Sequence, residues 1–243
     1  MKIIFAPAKE MKVDKISTDK PKYSATTQAI IQSLQALSDD QLKKLYKISD
    51  QQVSQVKDYI RHLNTGPAYK ALDLYNGLAF RQIELNLEDS EIASYLDQHF
   101  RILSALYGPI KATDPIRPYR LDFNTPLKVD GQNLRHLWGS DFNAFFEKGE
   151  TVLNLASQEF SVMLDQGRYH WVDFEFYEYD PNKTDGLKKH STISKKGRGK
   201  MVAFLASNQI KNLTDIQKFD ADGYQFDLDH SNNNKFVFIK KRS

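Results

Sequence analysis

Apolar residues recur at helical spacing through the first half of the chain. After Ser24, the residues Ile30, Ile31, Leu34 and Leu37 share one face, which predicts a helix. Asp39 reads as the N-cap of a second helix carrying Leu42 and Leu45. Ser49 opens a third, with Val53, Val56, Ile60 and Leu63 on its apolar side, ended by Gly66-Pro67. Asn76-Gly77 predicts a tight bend. From Asp89 or Ser90 onward, Ile92, Tyr95, Leu96, Phe100, Leu103 and Leu106 keep helical spacing, so one long helix is predicted up to Tyr107-Gly108-Pro109. Leu134, Leu137, Phe142, Phe145 and Phe146 predict another.

The second half changes period. Residues 2–5 already read as a short buried strand, stopped by Pro7, and 151–155 is a second apolar run of the kind buried on both faces. Residues 170–179 alternate around Val172, Phe174, Phe176 and Tyr179, with 187–194 as a candidate partner strand. Residues 200–208 read as helix, and 224–228 with 235–239 as a closing hairpin. No linker-like stretch separates the halves. The expectation is a single mixed α+β domain over residues 1–243, helix-rich in front, with a mixed β-sheet that collects strands from both halves.

Composition narrows the functional classes. With 40% hydrophobic and 27% charged residues, the chain has enough apolar surface to bury a core. It has no cysteine, so disulfides, thiolate metal sites and cysteine nucleophiles are excluded. No apolar run approaches the roughly 20 residues of a membrane helix, and the expectation is a soluble, cytoplasmic protein without a membrane partner. Lys and Arg number 34 against 31 Asp and Glu, a formal charge of +3, so any electrostatic role must come from where the charges sit.

The six histidines (His62, His99, His136, His170, His190 and His230) include no pair three or four residues apart, the spacing that projects two ligands from one helix face. No metal and no cofactor is expected. There is no G-x-S-x-G elbow. Three segments carry candidate chemistry. Lys195-Lys196-Gly197-Arg198-Gly199-Lys200 lies between a predicted strand and a predicted helix, and reads either as a phosphate-binding glycine turn or as an ordinary basic turn. Arg117 and Arg120 flank Tyr119 on a loop stiffened by Pro115 and Pro118, and they serve either a bound phosphate or internal carboxylates such as Asp114 and Asp122. In Asn154-Leu155-Ala156-Ser157-Gln158-Glu159, Ser157 is an N-cap candidate and Glu159 a candidate base or ion-pair partner.

Taken in order, these segments resemble the YaaA-like peroxide-stress family of bacterial cytoplasmic proteins. The resemblance runs from Ala6-Pro7-Ala8-Lys9 to Phe236-Val237-Phe238. It is carried by Arg101-Ile-Leu-Ser-Ala-Leu-Tyr-Gly108, Pro118-Tyr-Arg-Leu121, Trp138-Gly139, Asn154-Leu-Ala-Ser157 with Glu159-Phe160, and Lys195-Lys196-x-Arg198-Gly199-x-Met201. Ala6 and Glu10 stand where the family usually has serine and threonine, and Gly197 where alanine is usual. The resemblance implies a basic cleft beside a helix-hairpin-helix-like element. It also implies binding of double-stranded or distorted DNA in a response that limits iron-dependent oxidative damage. The expected DNA contacts are Lys9, Lys70, Arg101, Arg117, Arg120, Lys195, Lys196 and Arg198, with Tyr107 and Tyr119 for stacking. The alternative is an enzyme of glycosylase or lyase type acting on a nucleobase or a small phosphate-bearing ligand in the same cleft. Its catalytic candidates are Lys9, Ser157, Glu159 and Lys196.

Overall fold

In the computed structural model, which describes residues 1–139, 141–184 and 186–240, an eight-stranded mixed sheet organises the chain. Its strands are β1 (Lys2–Phe5), β2 (Phe100–Ser104), β3 (Gly108–Ile110), β4 (Thr151–Leu155), β5 (His170–Tyr179), β6 (Leu187–Lys188), β7 (Tyr224–Phe226) and β8 (Lys235–Lys240). The order across the sheet is β7-β8-β5-β4-β1-β2-β3, and β6 pairs with β5. The five strands from β8 to β2 run parallel, whereas β3, β6 and β7 are antiparallel additions. Buried apolar runs such as Val152-Leu153 and Ile102-Leu103 follow from a sheet covered on both faces.

The helices that frame the sheet and its polar loops are α1 (Ala25–Gln35), α2 (Asp39–Tyr46), α3 (Asp50–His62), α4 (Ser90–His99), α5 (Leu134–Trp138), α6 (Asp141–Ala144), α7 (Gln158–Ser161) and α8 (Ser191–Ser207). The first three match their predicted positions. The cap of α2 is Ser38, one residue before the expected Asp39, because its side chain and that of Gln41 close a reciprocal capping box. Asp89 caps α4 by accepting from the Glu91 and Ile92 amides.

Three predicted elements are corrected. The long helix from residue 90 stops at His99, and Phe100–Ser104 is strand β2. Its apolar residues mimic a helical face, but the segment lies parallel beside β1, with Ile3 opposite Phe100 and Phe5 opposite Ile102. The helix expected around 134–146 is divided into α5 and α6 around Gly139, whose φ of +39° leaves the helical region. Phe145, placed on its apolar face by spacing, is 51% exposed.

The third correction concerns the basic glycine segment. It is no turn: α8 begins at Ser191, so the partner strand expected over 187–194 shrinks to β6, and Lys195 to Lys200 lie inside the helix. The glycines act by what they lack. A methyl group on Gly199 would run into the carbonyl oxygen of Ala79 and lie 2.7 Å from Gln82 Cβ. A methyl group on Gly197 would run into the Phe176 ring, 2.8 Å from its Cβ. Both glycines let α8 pack directly against its neighbours.

The chain crosses the sheet in two directions. From β1 it passes to β2 and β3 on one side, then returns to β4 on the other and continues outward to β5 and β8. The order therefore reverses between β1 and β4. In open α/β sheets the crevice outside the carboxyl ends of the strands at such a reversal is where ligands bind.

Candidate functional site

Two segments leave the sheet at this reversal. Residues 6–9 follow β1 and residues 156–159 follow β4. The first is tied down by backbone hydrogen bonds, from the Asn76 amide to Glu10 O (2.9 Å) and from the Lys12 amide to Leu74 O (2.8 Å). Gly77 permits this approach, since a methyl group there would lie 2.7 Å from Ala8 Cβ. The predicted bend at Asn76-Gly77 thus positions the Lys9 loop.

Lys9, Asp122 and Glu159 meet there. Lys9 Nζ lies 3.0 Å from Asp122 Oδ2, with the lysine side chain 70% exposed and the aspartate 19%. They line a small cavity of about 60 Å³ together with Arg120 and Phe160. The two carboxyls are driven apart. Burial raises Glu159, and the neighbouring Asp122 charge adds to the effect. Burial also opposes ionisation of Asp122, but the hydrogen bond and charge of Lys9, with the Thr125 hydroxyl and Asn124 amide, outweigh it and hold Asp122 low. One carboxyl of raised proton affinity, one of lowered proton affinity and an exposed amine form an acid–base set.

Two members of this site escape a reading of the sequence. Asp122 reads there only as an internal partner for arginine. Tyr46, at the end of α2, has a buried hydroxyl with no hydrogen-bond partner among the described residues and a ring 6.0 Å from the Arg120 guanidinium carbon. Burial pushes its phenol well above the usual tyrosine range, so it stays a hydrogen-bond donor. Ser157 takes the N-cap position of α7, where its carbonyl receives the Phe160 and Ser161 amides while its hydroxyl makes no capping bond.

Removing the proton from Glu159 has a measurable consequence. Its pKa is raised in the fold, so ionising it costs stability once the pH passes 4.5, the ordinary glutamate value. Glu159→Gln cannot ionise, and its melting temperature should match wild type below that pH and exceed it increasingly above. Asp122 has the opposite sign: its contribution is present above 3.8 and is lost as the pH falls through its lowered folded value. A wild-type advantage over Glu159→Gln at neutral pH would contradict this assignment.

The other expected contacts divide into outward and inward groups. Lys195 and Lys196 are exposed on α8, and Lys70 lies 3.8 Å from Glu88. Arg120 is half-buried at the Lys9 cavity. Arg117 turns inward, 7% exposed: its Nε donates to Gly66 O (2.6 Å), and its Nη1 to the Tyr23 hydroxyl (2.7 Å) and Leu63 O (3.0 Å). Arg101 Nη1 donates to the carbonyls of Asp97 (2.8 Å) and Phe100 (2.7 Å). Tyr119 is buried, its hydroxyl 2.7 Å from that of Tyr75 and 2.8 Å from Ser104 Oγ. The Tyr107 hydroxyl donates to Arg117 O and accepts from the Arg117 amide, both at 3.1 Å. Arg117, Tyr107 and Tyr119 hold the loop to the core, and Arg101 joins the end of α4 to β2, because buried carbonyls and hydroxyls must be satisfied internally.

Arg198 stands apart from both groups. It lines a polar pocket of about 410 Å³ on the other side of α7, with Asn154, Asp173, Glu175, Lys189 and Lys235. Asn154 donates to Asp173 Oδ1 at 2.7 Å and accepts the Ala156 amide at 3.0 Å. Among the described residues, no group of three or more His, Asp or Glu side chains is gathered to hold a metal ion. No helix among them is long and apolar enough to cross a membrane.

The fold and site define an α+β protein built on a mixed eight-stranded sheet, with an amine–carboxylate cluster where its strand order reverses. The chain belongs to the peroxide stress protein YaaA family, whose model matches residues 1–230. It is 37% identical over 219 residues to a UPF0246 protein of Streptococcus uberis, covering 88% of each chain. A UPF0246 protein of Streptococcus gordonii is 36% identical, with 99% of each chain covered. One of Fusobacterium nucleatum is 32% identical over the full length of both.

Proposed function

We propose that the protein binds double-stranded or distorted DNA during peroxide stress, limiting iron-dependent damage, and acts on the bound strand through Lys9. The observation that carries this reading is the Lys9–Asp122–Glu159 cluster at the strand-order reversal, an amine beside two carboxyls of opposed proton affinity. Lys195 and Lys196, exposed on α8, supply cations that the fold does not consume. They suit phosphate contacts that are indifferent to sequence. The helix-hairpin-helix-like element would fall on α2 and α3, joined through Lys47-Ile48-Ser49 with Lys47 at a φ of 52°.

The amine chemistry fits an abasic sugar. Lys9, having passed one proton to solvent, adds its neutral Nζ to the C1′ aldehyde, and water leaves to give an imine, with the acid form of Glu159 donating to the departing hydroxyl. A carboxylate then removes a C2′ proton, the C3′–O bond breaks and the 3′-phosphate departs. Water returns the amine. A binder without chemistry would use the same cations and form no covalent link.

Borohydride trapping on duplex DNA with one abasic site tests this reading, in parallel with anisotropy titrations across a salt series. Wild type should give a covalent adduct that Lys9→Ala abolishes. Replacing Lys195 and Lys196 together by alanine should flatten the slope of log K against log salt by about 2, near 0.9 per lost phosphate contact. Salt-steep binding without an adduct would leave the binder and remove the lyase. Salt-independent binding would remove both.

A further inference from the structure

Strand β5 is longer than its neighbour on one side. β4 pairs with its beginning, up to Asn154 opposite Asp173, and β6 pairs with its end, at Glu178 and Tyr179. Residues 174–177 lie between these two pairings, and the Arg198 pocket opens at that notch. It is lined by Asn154, Gln158 and Ser161 from the β4 exit, by Glu175 of β5 and by Lys189 just after β6. The in-register row Asn154, Asp173, Lys235 sets three of its polar side chains on one face of the sheet.

Most polar groups here are already paired. Asp173 Oδ1 accepts from Asn154 Nδ2 (2.7 Å) and from Trp171 Nε1 (2.9 Å). Glu175 accepts from Lys189 Nζ and the Tyr177 hydroxyl, at 2.7 and 2.8 Å. Arg198 Nε is buried and, among the described residues, has no hydrogen-bond partner. Asp173 and Glu175 act on it only through their charge, and burial, the larger influence, lowers its pKa. A buried cationic donor left unmade is costly, and the fork of an arginine is shaped for an oxyanion. Three cations (Arg198, Lys189 and Lys235) face two carboxylates, and Glu175 is already committed to Lys189. The charge balance leaves room for an anion.

We propose that this notch is a binding site for the phosphate group of a mononucleotide-sized phosphate ester, with Arg198 as its fork and Lys235 as its second cation. A phosphate has enough oxygens to meet both cations at once, which a carboxylate does less well. The volume of about 410 Å³ lies within the range of small-molecule sites. Asp173 and the Gln158 amide remain to orient the organic part. The site stands independently of the Lys9 chemistry, with α7 between the two cavities.

The test is calorimetric titration of the full chain with inorganic phosphate, a nucleoside 5′-monophosphate, and hairpin DNA with or without a 5′-phosphate. Wild type should bind phosphate and the nucleotide, and Arg198→Met should weaken both at least tenfold, as expected for loss of charge-assisted hydrogen bonds. Competition by 5′-phosphorylated DNA alone would assign the source to a strand end, and competition by the nucleotide to a free ester; either supports the site. If Arg198→Met does not fold, Lys235→Gln is the second variant, with a severalfold loss expected. Equal phosphate binding by wild type and a folded variant, or none by wild type at tens of millimolar, would overturn the proposal. DNA binding unchanged in Arg198→Met would leave the DNA reading standing whatever becomes of this pocket.

Discussion

Gly199→Ala is expected to destabilise the protein by about 3 kcal/mol or more, although alanine is the better helix former by about 1 kcal/mol. The reversal of sign comes from packing. Gly199 lies in the middle of α8, where a methyl group would run into the Ala79 carbonyl oxygen and lie 2.7 Å from Gln82 Cβ. A backbone carbonyl cannot rotate aside as a side chain can, so the helix or the 79–82 segment must shift. With about 2–4 °C per kcal/mol for a chain of this size, the melting temperature should fall by roughly 6–12 °C. Gly197→Ala presses on the Phe176 side chain instead, and combining it with Phe176→Leu should recover much of its loss, so that the double variant loses less than the sum of the two single losses. Equal or higher stability for Gly199→Ala would show that α8 stands off from 79–82.

Arg117→Met should cost a comparable amount, about 3 kcal/mol. The substitution keeps most of the apolar stem but leaves Gly66 O, Leu63 O and the Tyr23 hydroxyl without the guanidinium that now bonds them. Each buried group left unsatisfied costs on the order of 1–3 kcal/mol, and the Tyr23 hydroxyl keeps a second bond, to Leu63 O, that softens its share. Chemical denaturation would show the loss as a lower midpoint. The folded fraction should bind DNA with an unchanged salt slope, unlike the Lys195/Lys196 double variant. A stable Arg117→Met protein with a flattened slope would place this arginine at the nucleic acid rather than in the core.

Much of the architecture is legible in the sequence. Helices α1 to α3 follow from local caps and apolar spacing, and β1, β4 and β5 from short apolar runs with their stops. The order of motifs points to the YaaA family, which the comparison over residues 1–230 establishes. At the candidate site, Lys9 and Glu159 are visible as chemistry. Their meeting is not, because they are brought together by the neighbouring strands β1 and β4, whose pairing of Phe5 with Leu155 spans most of the chain.

What the sequence determined by itself is what a few neighbouring residues decide: where a helix is capped, where a strand stops, which side chains carry charge. What only the tertiary structure decided is what a distant partner imposes. Phe100–Ser104 becomes a strand because β1 lies beside it, and the glycines of 195–200 serve contact because Phe176 and Ala79 press against the helix. The same holds for charge. Arg117 and Arg198 are alike in the sequence, yet the Nε of one donates to Gly66 O in the core and that of the other is buried with no partner among the described residues. The physical reason is that an arginine acquires its role from the acceptors within about 3 Å of it, and those are supplied by residues far away along the chain.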